Sequence, residues 1–354
     1  MRAHACAALV AIVSLTACGD RAKGRENAGT PEERLAAALQ VCGEDAGTFA
    51  QRVCGNETLA ALDGEMREAL VAEAASVSEA GAQMLVQNQQ RWLEAQRIAC
   101  GIIDVDAEPS AVQLQCLESE FRARANDAQS AVQEAGGFTF QTMELVDATP
   151  VTAEIASNSG LGDDAPAAVV RDIRFPRIDG PQTPEIQRFN ELVAQQPQFR
   201  LEDATNEVVD YHIAYASPEI ISVRFDLSSD TLGAAHPNNT SKAVNVLMRT
   251  GQPLTEGDVF QSGSGWEAFI TRRAVQEITR TYAESGFSPP ERDVRESATK
   301  PHLWLITEGG LVLLFPPYSF GGPHVLGGTE VTIPWAELRP YLNPAAPAPI
   351  RPTA

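Results

Sequence analysis

All six cysteines of this chain lie at or before position 116, and soon afterwards the spacing of its apolar residues changes. Up to Ala135 they recur at helical spacing; beyond the Gly136-Gly137 pair they begin to alternate. A chain of 354 residues divided in this way reads as two modules. The expected fold class is α+β: a small disulfide-stapled helical N-terminal module, then an α+β domain with a mostly antiparallel sheet and two main helices.

The thiols are sorted by the N-terminus. Arg2 precedes a short apolar run that ends in Leu15-Thr16-Ala17-Cys18. The run is well short of the ~20 residues that a membrane span needs and reads as a secretory signal. Its end resembles a bacterial lipobox, which implies acylation of Cys18 as the first mature residue. Residues 1–17 are thus expected to be a lipoprotein signal peptide and 18–29 a lipidated polar tether. The expected location is the cell envelope, lipid-anchored on the periplasmic face, with inner or outer membrane left open. In that oxidising compartment Cys42, Cys54, Cys100 and Cys116 read as two disulfides. Three connectivities are possible; Cys42–Cys54 with Cys100–Cys116 is preferred because each bond staples a helix end to the next segment. A zinc site is disfavoured, because no CxxC spacing occurs and no histidine is near. Neither a metal nor a cofactor is expected.

Thr30-Pro31-Glu32-Glu33 offers an N-cap, a proline at N1 and a capping-box glutamate. Leu59, Leu62, Met66 and Leu70 mark a longer helix that should bend or break around Ser76 to Gly81 and resume through Leu85, Trp92 and Gln96. Ser110 to Gln113 is a second capping box, before Leu114, Leu117 and Phe121. This helical module is expected over residues 30–135. Over residues 138–342, Val209 to Tyr215 and Ile221 to Leu227 alternate as half-buried strands. Leu303 to Phe315 reads as a hairpin around Glu308-Gly309-Gly310. Two helices are expected, one from Thr183-Pro184 and one from a capping box at Ser264 to Glu267. The Pro/Ala-rich residues 343–354 should be a disordered tail.

The formal net charge is −20. It disfavours nucleic acid and anionic headgroups, which need a basic footprint. A cationic protein partner is favoured through long-range attraction, although acidity also serves the solubility of an exported chain. No phosphate-cradling glycine loop and no HExxH motif occurs. Ser262-Gly263-Ser264-Gly265 lacks the spacing of a nucleophile elbow. His236, in the loop Gly233 to Pro237, could be a base only with a nucleophile and an orienting acid beside it. We read it, with Pro237 and Asn238, as a partner-contacting or loop-structuring group. A second loop carries Pro316, Tyr318 and His324. An exposed tyrosine there would make a rigid contact surface; the alternative is a sheet-edge turn with Tyr318 in the core. Trp92 is read as core.

The helical third resembles the LprI-type lysozyme-inhibitor family. The likeness rests on Cys42, Cys54, Leu59 to Asp63, Gln90 to Leu93, Arg97, Cys100, Cys116-Leu117, Phe121 and Arg124, with Phe121 where a tyrosine is usual. The second module is similar to the extracellular domain of RsiV/PdaC type. That likeness rests on Phe175 to Gly180, Gly233 to Pro237, Thr250-Gly251, Leu254 to Phe260, and Phe315 to Gly328 ending in Val331 to Pro334. No deacetylase module follows, so no catalytic activity is implied. Together these resemblances imply a non-enzymatic envelope lipoprotein that binds, and could inhibit, a c-type lysozyme or related muramidase through an acidic surface and occluding loops. The rival expectation is a structural or sensory protein contacting peptidoglycan or another envelope protein; a hydrolase using His236 is a third.

Overall fold

A computed structural model describes residues 31–39, 41–42, 47–195 and 204–351. The expected signal peptide, Cys18 and the tether lie outside the described residues. Five helices come first: α1 (Pro31–Leu39), α2 (Thr48–Cys54), α3 (Glu57–Ala75), α4 (Glu79–Ala99) and α5 (Ala111–Ser130). Their ends follow local chemistry. Asn56 caps α3, accepting from the Thr58 and Leu59 amides. Ser78 caps α4 at the expected break, and Ser110 with Gln113 forms the expected capping box of α5. Cys42 pairs with Cys54 and Cys100 with Cys116, at Cα separations of 5.5 and 5.7 Å. The first bond ties the segment after α1 to the end of α2; the second ties the cap of α4 to α5. Asp63 is buried and accepts from the Val41 and Cys42 amides at 2.9 and 3.1 Å, anchoring the same staple.

Beyond α5 the chain runs through β1 (Val132–Ala135), β2 (Phe138–Pro150), α6 (Ala153–Asn158), β3 (Ala168–Ile178), α7 (Pro184–Ala194), β4 (Thr205–Ala216), β5 (Ile220–Thr231), β6 (Asn238–Leu247) and β7 (Gln252–Pro253). These strands form one seven-stranded sheet in sequence order. Every pairing is antiparallel except β3 with β4, which α7 connects. Then come α8 (Glu256–Val259), α9 (Trp266–Thr281), α10 (Glu291–Ala298), β8 (Trp304–Ile306), β9 (Gly310–Phe315), β10 (Thr329–Pro334) and α11 (Trp335–Leu338). The last three strands make a small antiparallel sheet in the order β10-β9-β8.

Alternation places the layers. Val209, Ile221, Val223, Phe225 and Leu227 pack with Phe189, Leu192 and Val193 of α7. On the opposite face Ser222 is fully buried beneath the small sheet, where its hydroxyl accepts from the Ile306 amide at 3.0 Å. The small sheet is itself two-sided: Leu303, Leu305, Val312 and Leu314 meet Ala243, whereas Trp304, Ile306, Leu311, Leu313 and Phe315 pack under α9 and α10. The helical core continues onto β2 and β3 through Val146, Ala148 and Val170.

Two expectations need correction. Helix α9 starts at Trp266 from Gly265 in a left-handed conformation, with no side-chain cap; Ser264 is not its N-cap. The described part of the Pro/Ala-rich end is packed rather than disordered. Ile350 is 0% exposed and joins the core under α9, and Arg351 bonds Glu219 at 2.7 and 2.9 Å. One buried isoleucine and one ion pair outweigh the composition of the segment. Among the described residues no helix is long and apolar enough to cross a membrane.

Candidate functional site

The two loops singled out by sequence are hairpin connections from different sheets, and they meet. His236 and Pro237 lie in the β5–β6 connection, with Asn238 opening β6; Pro316, Tyr318 and His324 lie in the β9–β10 connection. The His236 and His324 rings stack at 3.8 Å between centroids with 15° between planes, and Tyr318 lies 5.6 Å from His324. Each loop is fixed from below. Gly233 has φ 81°, and a Cβ there would sit 2.1 Å from the Ser159 carbonyl oxygen, so only glycine fits. In the second loop Phe320 is fully buried against Tyr282, Phe287 and Phe315. The Tyr282 hydroxyl donates to the Leu326 carbonyl at 3.1 Å, and Ser297 donates to that of Ser319 at 2.5 Å. Tyr318 is 55% exposed and holds φ 69°, the left-handed region that non-glycine residues rarely occupy. The core alternative for Tyr318 is therefore set aside.

Beside this rim lies a groove of about 520 Å³ between the β4–β6 face and the β9–β10 end of the small sheet. Asp210, Asp226 and Glu330 line it together with Arg224 and His324. Arg224 bonds Asp226 at 2.9 Å and also pairs with Glu330, bridging the two sheets. Burial works against the Arg224 charge, but those two partners more than offset it and raise its pKa. The groove wall keeps an excess of carboxylate, and its mouth carries two proline-flanked turns. The His236 Nδ1 sits 3.1 Å from the Pro237 carbonyl oxygen, and one ring face is covered by His324. That geometry makes His236 part of a stack linking two loops.

In the helical module Trp92, Arg97, Phe121 and Arg124, four of the residues that carry the sequence likeness, serve packing, whereas Gln90 and Arg91 are exposed. Trp92 is 4% exposed, contacts Phe121 at 5.9 Å between ring centroids, and receives the Arg124 guanidinium at 5.6 Å. Arg97 donates to the carbonyls of Ile102 and Ile103, closing the turn after α4.

A second constellation was missed by the sequence reading. Between α3–α5 and strands β2–β4 lies a cavity of about 230 Å³ bordered by Glu73, Arg124, Asp127, Glu144, Arg174 and Tyr211. Arg124 pairs with Glu144 and donates to Gln89 at 2.9 Å. Arg174 reaches Asp127 at 2.9 Å, Asp172 at 3.2 Å and Glu144 at 3.3 Å. Tyr211 and Thr142 share a hydrogen bond at 2.7 Å, and burial first of all pushes the phenol up to about 12. At the edge of this joint Asp179 accepts from the Ser78 hydroxyl at 2.7 Å and from Arg177 at 2.6 Å. Among the described residues no group of histidine, cysteine, aspartate and glutamate side chains could hold a metal ion.

Comparison with known proteins finds one family match, within the second module. Residues 257–336 match the family described as protein of unknown function DUF3298. No curated protein matches the chain. Among solved structures, a DUF3298 family protein from Pseudomonas aeruginosa PAO1 is similar at 13% identity and a TM-score of 0.43, over 61% of this chain and 98% of that one. A DUF3298 family member from Bacteroides fragilis NCTC 9343 is similar at 12% identity and a TM-score of 0.38, over 60% of this chain and 96% of that one.

Proposed function

We propose that this chain is a non-catalytic binding protein of the cell envelope that captures a basic wall-cutting enzyme, a c-type lysozyme or related muramidase. The observation that carries the reading is the His236–His324 stack, which joins two independently anchored turns into one rim beside a carboxylate-lined groove. A rim fixed before contact loses little conformational freedom on binding, and an exposed tyrosine supplies contact area at low entropic cost. The acidity of the chain suits a cationic partner and would speed its encounter. The sequence likenesses of both modules to lysozyme-linked families point the same way. In this picture the rim enters the partner's substrate cleft while Asp210, Asp226 and Glu330 face its basic surface.

Titration of the purified chain with a c-type lysozyme, across ionic strength, tests the reading. A complex should form at low salt and weaken as salt rises. Tyr318→Ala should weaken it by about tenfold or more, in the range of an interface anchor. The absence of any complex at low ionic strength would overturn the proposal. Sedimentation with isolated cell wall in that case would turn the reading toward a structural or sensory envelope protein.

A further inference from the structure

The joint between the helical module and the large sheet holds more acid than base. Glu73 from α3, Asp127 from α5, Glu144 from β2 and Asp172 from β3 surround Arg124 and Arg174, four carboxylates around two guanidiniums. Both arginines are already committed: Arg124 to Glu144 and Gln89, and Arg174 to Glu144, Asp127 and Asp172. Strand β4 adds Asp210, Tyr211 and His212 to the wall, whereas α4 contributes only the uncharged Leu85 and Asn88. The neighbouring Arg177–Asp179 pair is neutral in itself. Glu73 is 5% exposed; its carboxyl meets Gln141 of β2 and feels Arg124 and Glu144. Asp127, Asp172 and Arg174 keep 39%, 27% and 28% of their side chains open to water. The buried set is therefore Glu73, Glu144 and Arg124, which reaches neutrality only when one carboxyl carries a proton. Both arginines hold Glu144, which leaves Glu73 to carry it. An uncompensated buried charge is costly, so the proton is the means of compensation that the geometry leaves.

We infer that this joint is a proton-dependent latch, held closed while Glu73 is protonated and loosened when it ionises. Desolvation by burial is the leading cause that raises Glu73 to about 7, with Arg124 and Gln141 opposing the rise. The latch therefore works around neutrality. It does not depend on the lysozyme reading, because Glu73, Glu144, Arg124 and Arg174 line neither the groove nor the two-loop rim.

Amide hydrogen exchange on the whole chain tests it, at about pH 5.5 and about pH 8.5, with each rate divided by the intrinsic rate at that pH. Protection of α3 and of β2 should fall by about tenfold or more between the two conditions, as expected for one buried carboxyl forced to ionise. Protection of α9 and β9, which lie away from the joint, should not follow. Glu73→Gln should remove the change. Equal behaviour of α3 and α9 across pH would overturn the inference. So would an undiminished pH dependence in Glu73→Gln or in Glu73→Met, two uncharged variants of similar size measured separately so that one poorly folding variant does not decide the outcome.

Discussion

Tyr318 holds a left-handed backbone at φ 69° while leaving its ring 55% exposed. Such a conformation costs a non-glycine residue roughly 1–2 kcal/mol, and an exposed ring recovers little of that from packing. Strain retained at an exposed loop residue points to a contact made by the ring itself. Tyr318→Gly should therefore leave the melting temperature unchanged or raise it, by up to about 1 kcal/mol in stability, while lowering affinity for the basic partner. Calorimetric melting paired with lysozyme titration checks this; a variant that loses stability and keeps full affinity would contradict it. Single residues were also where the sequence reading fell short. Glu73 follows Met66 and Leu70 on the apolar stripe of α3, Gln89 falls between Leu85 and Trp92 on α4, and Arg124 follows Leu117 and Phe121 on α5. Each is buried. A polar residue at a core position of an apolar stripe was a readable sign of a buried polar cluster. Its partners Glu144 and Asp172 come from distant strands, so the pairing itself was not.

At the scale of elements, local chemistry was the legible part. The α+β class, the break between α3 and α4 and the neighbour pairing of the cysteines follow from spacing within a few turns of chain. Helix α10 and the order of the seven strands do not, because they depend on which apolar faces find each other after collapse. The two disulfides close short loops, with sequence separations of 12 and 16 residues. Loops of that length contribute roughly 3 kcal/mol each by restricting the unfolded chain. The helices they join carry a small core of their own. Cys100→Ser combined with Cys116→Ser should thus lower the stability of the helical module by about 2–3 kcal/mol. Urea unfolding followed by far-ultraviolet circular dichroism should then show an earlier helical transition ahead of the strand-rich module. An unshifted single transition would mean that packing against β2, not the staple, sets the stability of α4 and α5.

Over the whole molecule, β4 is the wall shared by both constellations, since Asp210 borders the buried joint and the open groove alike. The same balance of buried acids sets how global stability responds to pH. Glu73 is raised from 4.5 to about 7 and Asp172 from 3.8 to about 6, in each case foremost by burial. A raised carboxyl binds its proton in the folded state over a range where the unfolded chain has already released it. Its contribution is fully present below the unfolded value and is lost as pH rises through the folded one. Stability should thus decline between about pH 4.5 and about pH 7, at up to about 1.4 kcal/mol per pH unit for each such proton. Glu94 and Asp179, both lowered, act in the opposite sense and lose their stabilisation only at more acidic pH. The expected profile therefore has its maximum on the acidic side of neutrality. Chemical denaturation at about pH 5, 6, 7 and 8 should show unfolding free energy falling by a few kcal/mol across the series. Glu73→Gln should match the wild type at the acidic end and exceed it at about pH 8, because glutamine presents no charge to bury. A wild-type profile that rises from pH 5 to 8, or a Glu73→Gln profile parallel to it, would show that the buried acids ionise without cost and that the joint has another source of compensation.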